Sequence, residues 1–177
     1  MNKKSEVKRL TGTDRFTIFK RDKYEYVTLN GFTESVMICP ITDDGEIVFI
    51  KKYVSAENTI ELVLPGGKVE NGLTRLQTAK KELMEEIGMS AVKYAPLGQF
   101  KILPAYFLGK TYGFIAEGLN KNKDVEIDKT ETIKVVTIPI KKVLDEIQSG
   151  KIRDVRTVAV VLYYFTFALN EFLLPKV

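Results

Sequence analysis

The stretch Gly67-Lys-Val-Glu-Asn-Gly-Leu73-Thr-Arg-Leu-Gln-Thr-Ala-Lys-Lys81-Glu82-Leu83-Met-Glu85-Glu86-Ile-Gly88-Met89 decides the reading of this chain. Thr74 and Gln77 have the spacing of a capping box, in which a hydroxyl and a side-chain amide close the first turn of a helix on each other. Leu76, Ala79, Leu83 and Ile87 then recur as one apolar face, and Gly88 is placed to end the helix in the left-handed conformation. Glu82, Glu85 and Glu86 stand at i, i+3 and i+4, so a helix presents all three carboxylates on one side, about 100° around from the apolar stripe. Like charges at that spacing repel by about a few tenths of a kcal/mol per pair, a cost that a divalent cation offsets. Oxygen ligands suit Mg²⁺ or Mn²⁺, and Mg²⁺ commonly bridges one or two carboxylates to substrate phosphates. A solvated acidic face is the competing reading of the three glutamates alone. The glycines weigh against it. Pro65-Gly66-Gly67 ends a strand pattern and Gly72 precedes the cap, so a loop able to approach a phosphate or a metal closely leads into the acidic helix.

Outward from this segment, the first third of the chain alternates like antiparallel sheet. Phe16–Phe19 and Tyr24–Leu29 are β-branched and aromatic runs, the second closed by Asn30-Gly31. Residues 35–41 form an apolar strand, and Thr42-Asp43-Asp44-Gly45 joins it to a strand at 46–50, since Asp-Gly between apolar runs signals a hairpin. Further strands are expected at 60–64, 98–102, 111–116 and 133–137. Pro139 opens a helix that stops at Gly150, and a last helix covers about 153–172. The order predicts an α+β domain, a mixed sheet between helices over residues 35–177, preceded by an antiparallel β extension over residues 1–34.

Composition closes off several chemistries. Among 177 residues there is no histidine, which excludes Ser-His-Asp triads, Cys-His dyads and imidazole bases. The one cysteine, Cys39, lies in an apolar run and reads as a buried, inert thiol; it rules out an internal disulfide and a cysteine zinc cluster. The net charge of +4 is carried mostly by scattered lysines without an arginine-rich stripe, so a nucleic-acid partner is not expected. The uncharged stretch Thr157–Asn170 is shorter than the roughly 20 residues of a spanning helix, and Val158, Val161, Leu162, Phe165, Leu169 and Phe172 suit a helix buried in the domain or at a subunit contact. The N-terminus lacks the apolar core of a signal peptide, and with the lone thiol this gives a cytoplasmic expectation.

The 67–89 segment resembles the Nudix box, in which a glycine and a glutamate precede Arg-Glu-hydrophobic-x-Glu-Glu-x-Gly-hydrophobic at fixed spacing. Gly67, Glu82, Leu83, Glu85, Glu86, Gly88 and Met89 match, and the order of elements over about residues 35–172 is similar to the Nudix fold. The β-rich N-terminus, Glu61-Leu62 and Leu103-Pro104-Ala105-Tyr106-Phe107 resemble the ADP-ribose pyrophosphatase branch. Two positions depart: Leu73 stands where the box has its first glutamate, and Lys81 where it has arginine. Lysine keeps the charge but loses the planar fork that orients carboxylates.

By position, the resemblance implies that Glu82, Glu85 and Glu86 hold Mg²⁺ or Mn²⁺ with the Gly66 carbonyl as a further ligand, and that Gly66, Gly67 and Lys81 face the substrate. It implies that Glu131, in an acidic loop, is a candidate base. Phe19, Tyr24, Tyr26 and Phe32 are candidates to stack on a base, and Lys51, Lys52 and Lys68 to touch phosphates. Ordinary core and surface roles compete for each of these. The implied activity is metal-dependent hydrolysis of a nucleoside diphosphate-linked small molecule such as ADP-ribose, in a homodimer built on the N-terminal strands. The competing reading, motivated by Leu73 and Lys81, is a catalytically weak Nudix domain that binds a nucleotide as a sensor or interaction module.

Overall fold

In the computed structural model, which describes residues 6–30, 32–122 and 132–173, two sheets and three helices form. Strands β1 (Val7–Gly12), β2 (Phe16–Arg21) and β3 (Tyr24–Leu29) make an antiparallel three-stranded sheet. Its second hairpin turns at Asp22-Lys23, where Asp22 takes φ 54, a conformation that aspartate tolerates better than most residues. The sheet is tied to the loop that follows residue 102: Val27 N–H donates to the Tyr106 carbonyl at 2.7 Å, and Leu108 N–H to the Val27 carbonyl at 2.8 Å.

The second sheet is mixed. It runs β6 (Thr59–Val63), β5 (Glu46–Val54), β4 (Glu34–Ile41), β8 (Lys110–Lys121), β7 (Met89–Phe100), with β9 (Thr132–Pro139) paired to β5. The β4 and β8 strands are parallel, in register from Glu34↔Lys110 to Ile41↔Glu117. The predicted Asp-Gly turn forms, with Gly45 at φ 73, but β4 and β5 pair only at Ile41↔Ile47 before diverging. The gap that opens is filled by the glycine loop: Val36 N–H donates to the Gly67 carbonyl at 2.8 Å, Ile38 N–H to Pro65 at 2.9 Å, and Val69 N–H to Glu34 at 3.0 Å.

Strand β4 is apolar from Val36 to Ile41 because both of its faces are covered there. Val36 and Ile38 pack beneath helix α1 (Arg75–Ile87) with Ala79, Leu83 and Ile87. Met37, Cys39 and Ile41 pack on the other side with Val143 of α2 (Ile140–Gln148) and Val160 and Val161 of α3 (Val155–Leu173). Successive side chains of a strand point to opposite faces, so one strand nucleates both cores. The expected mixed sheet between helices, with an antiparallel N-terminal sheet, is the architecture found.

Helix α1 begins as its sequence requires. Gln77 N–H donates to the Thr74 hydroxyl at 3.2 Å, and Thr74 N–H to the Gln77 side-chain oxygen at 2.9 Å. Gly88 ends it at φ 66. One member of the expected stripe differs: Leu76 is 40% exposed, because burial begins one turn in, at Thr78 and Ala79. In α3, Leu162 is 45% exposed within the single chain, while Val158 and Phe165 pack against the core and Val161 is buried in it. Among the described residues no helix is long and apolar enough to cross a membrane. Cys39 is fully buried, and burial pushes its thiol pKa well up.

Candidate active site

A cavity of about 490 Å³ opens where the glycine loop, α1, the edge of β4 and the loop after residue 102 meet. Gly66, Gly67, Glu82, Glu85 and Glu86 all line it. The two glycines are there for steric reasons. A Cβ on Gly66 would overlap the Val36 carbonyl oxygen and lie 2.9 Å from Met37 Cα, and a Cβ on Gly67 would overlap the Glu82 carboxylate. The loop thus lies flat on β4 and directly against the first of the three glutamates.

The glutamates differ in surroundings. Glu86 is 3% exposed, inside the buried arc of α1 rather than beside it; it accepts a 2.7 Å hydrogen bond from the Gly66 N–H and lies 3.3 Å from Lys52 Nζ. Glu82 is half-buried. Burial first, then the negative charges of Glu86 and Glu85, raise its pKa to about 7. Glu85 is exposed, 3.6 Å from Lys81 Nζ. Lys81 donates to Glu70 at 2.6 Å, and that hydrogen bond is the main reason its pKa is raised. Lys81 therefore reaches the cavity through two acids that line it, Glu70 and Glu85. Glu131 lies outside the described residues.

Among the described residues no three acidic or thiol side chains converge closely enough to hold an ion as they stand. Two oxygens of Glu86 are engaged by Lys52 and Gly66, and Glu85 leans towards Lys81. The donor set nevertheless fits a hard divalent cation. Its ligand atoms are carboxylate oxygens on one helix face, two ammonium groups stand where positive charge is favoured, and Glu82 is held against its own ionisation by burial and then by its acidic neighbours. Glutamate side chains are long enough to converge by rotamer changes of ordinary cost.

Of the other contributors, Leu29, Glu34, Ile102, Lys110 and Arg156 carry no local sequence signal. Glu34, Lys110 and Arg156 line the cavity together with Lys52 and Lys68, and Leu29, Phe32, Ile102 and Phe107 add apolar lining. Arg75 clamps Glu34 through two 2.8 Å hydrogen bonds and stacks 3.7 Å from the Tyr112 ring centre, which holds the Glu34 carboxyl below its usual range. Of the candidate aromatics, Phe32 lines the main cavity, with Lys68 Nζ 5.0 Å from its ring. Phe19 and Tyr26 stack on each other in the N-terminal sheet at 5.8 Å, and Tyr24 and Tyr26 line a smaller cavity of about 240 Å³. Of the candidate lysines, Lys52 and Lys68 line the main cavity, whereas Lys51 is exposed on β5.

The sequence model of the NUDIX domain matches residues 31–162, most of the chain and every residue lining this cavity except Leu29. The chain belongs to the Nudix family. Its relatives include the ADP-ribose pyrophosphatase of Bacillus subtilis (strain 168), 28% identical over 145 residues, covering 81% of this chain and 77% of that protein. The ADP compounds hydrolase NudE of Escherichia coli (strain K12) is 29% identical over 126 residues, 71% and 67% of the two chains. The methanol dehydrogenase activator of Bacillus methanolicus is 27% identical over 130 residues, 73% and 70%. A crystal structure of an ADP compounds hydrolase superposes with a TM-score of 0.78 at 22% identity, covering 94% of this chain and 93% of that one, so the fold is the Nudix fold.

Proposed function

We propose that this Nudix hydrolase cleaves the diphosphate of ADP-ribose or a similar nucleoside diphosphate sugar, with a divalent cation, to give a nucleoside monophosphate and a sugar phosphate. The observation that carries the reading is the composition of one cavity: three helix carboxylates, a glycine loop, apolar and aromatic groups, and several cations all line it. Its volume is within the roughly 300–1,000 Å³ of small-molecule sites. Relatives with pyrophosphatase and ADP compounds hydrolase names support the same substrate class.

A diphosphate and a carboxylate cluster repel, so the two share a site only with positive charge between them. Glu82, Glu85 and Glu86 are the residues that would hold Mg²⁺ or Mn²⁺, with the Gly66 carbonyl as a further donor. When bound, such a cation supplies Lewis acidity to the phosphoryl oxygens. Lys52, Lys68, Lys110 and Arg156, which line the cavity, orient the phosphates by charge-assisted hydrogen bonds. Phe32 and Phe107 provide flat apolar surface for a nucleobase. The chain has no histidine, and among its carboxylates Glu131 is the candidate to take the proton from the attacking water. The reading includes a homodimer through the N-terminal sheet, whose outer strand β1 is exposed along its whole length and whose exposed apolar residues include Val7, Leu10 and Phe16.

The test is a phosphate-release screen over nucleoside diphosphate derivatives, coupled through a phosphatase that attacks only monophosphate products. Reactions with Mg²⁺, with Mn²⁺ and with chelator are compared. Turnover of one substrate class that disappears in chelator and in Glu86→Gln is the expected result. Saturable nucleotide binding with no turnover across the panel would overturn it in favour of a binding module.

A further inference from the structure

We propose that Glu70 is a positioning residue of this site: it holds the Lys81 ammonium off Glu85 and so keeps that carboxylate available to a divalent cation. The inference rests on the reading of Glu82, Glu85 and Glu86 as cation ligands. It accounts for the two departures from the Nudix box together. Leu73 removes the acid that the pattern supplies to its cation, and the structure supplies another from three residues earlier.

The geometry is asymmetric. Lys81 Nζ is 2.6 Å from Glu70 Oε1, a hydrogen bond, and 3.6 Å from Glu85 Oε2, beyond hydrogen-bonding reach. Glu70 is fixed by its backbone, because Val69 N–H is bonded to Glu34 of β4 and Leu73 N–H donates to the Glu70 carbonyl at 3.1 Å. A lysine is a point charge with rotatable donors, so one well-placed acid suffices where an arginine fork would want two oxygens. Without Glu70, Lys81 is left with Glu85 one turn along the same helix, and a small rotation turns that ion pair into a hydrogen bond. The ammonium then competes with the cation for the same oxygens.

The pair itself adds little to the stability of the fold. The side chains of Lys81 and Glu70 are 38% and 49% exposed, and exposed ion pairs contribute little. The effect therefore belongs in cation affinity and not in Tm, which separates positioning from a merely structural role.

The experiment titrates Mn²⁺ alone into the full-length protein and reads free ion by electron paramagnetic resonance, with Tm measured in parallel. Wild type, Glu70→Gln, Lys81→Met and the double variant form a cycle. Glu70→Gln is expected to weaken Mn²⁺ binding about tenfold, the scale seen when a ligand's supporting partner is removed. Its Tm should stay within about 2 °C of wild type. In the double variant, affinity should return to that of Lys81→Met alone. Wild-type affinity in Glu70→Gln, or equal weakening whether or not Lys81 is present, overturns the role of Glu70 and leaves the cation site standing. A wild-type protein that binds no Mn²⁺ in a Glu86-dependent way overturns the cation reading and this inference with it.

Discussion

Gly66→Ala and Gly67→Ala add the same methyl group to adjacent residues and are expected to fail differently. At Gly66 the new Cβ meets backbone, the Val36 carbonyl and Met37 Cα at 2.9 Å, in a strand packed on both faces. Strand β4 cannot give, so the loop must lift and strain its hydrogen bonds through Gly67 at 2.8 Å and Pro65 at 2.9 Å. Overpacking costs about 1–3 kcal/mol and each weakened hydrogen bond about 0.5–1.5 kcal/mol, so a loss of about 2–4 kcal/mol is expected. For a chain of this size that is a fall in Tm of about 5–15 °C. At Gly67 the methyl meets only the carboxylate end of Glu82, which can swing away for about 0.5–1.5 kcal/mol of rotamer cost. Gly67→Ala should therefore melt within about 5 °C of wild type yet lose Mn²⁺ affinity, because Glu82 has left the cavity. Neither glycine has positive φ, so backbone strain does not confuse the comparison. Circular-dichroism melts in chelator, paired with Mn²⁺ titrations, measure both effects. Equal Tm losses in the two variants, or no loss in Gly66→Ala, would refute the reasoning.

Three further outcomes are expected. The Glu82 carboxyl, at about 7, lies above the roughly 4.3 of an unfolded chain, so its contribution to stability is complete at acid pH and is lost as pH rises through 7. Allowing for solvent screening, this is on the order of 1–2 kcal/mol, or about 3–6 °C in chelator between pH 6 and 8. With no histidine titrating there, Glu82→Gln should flatten that slope, and an unchanged slope would count against it. Thr74→Ala removes the cap that bonds Gln77 N–H and should lower Tm by about 2–4 °C, for a loss of about 1 kcal/mol. Cys39 should react with a thiol reagent only as fast as the protein unfolds; rapid labelling of the native protein would contradict its burial.

Much of this molecule was legible from neighbouring residues. The start of α1 at Thr74, its end at Gly88 and the single bearing of Glu82, Glu85 and Glu86 depend on hydrogen bonds and periodicity that act within one or two turns. The apolar strand around residues 36–41 was equally visible, and the structure then showed that helices cover both of its faces. Leu76 and Leu162 show the boundary of that logic, since periodicity gives a bearing and not what lies opposite it. The β2–β3 hairpin at Asp22-Lys23 carried no glycine to announce it.

What makes the site was decided at long range. Lys52 meets Glu86 across 34 residues, and Glu70 meets Lys81 across 11. Phe32 and Phe107 share a cavity because β4 and β8 chose each other as parallel partners, bringing Glu34 and Lys110 side by side. By itself the sequence determined the common bearing of Glu82, Glu85 and Glu86 and the glycine loop that leads into them, because both follow from local geometry. Only the tertiary structure decided how each is held, including the pairing of Lys81 with Glu70. Ion pairs between distant residues cost chain entropy to form and so exist only once the two cores have fixed the backbone around them.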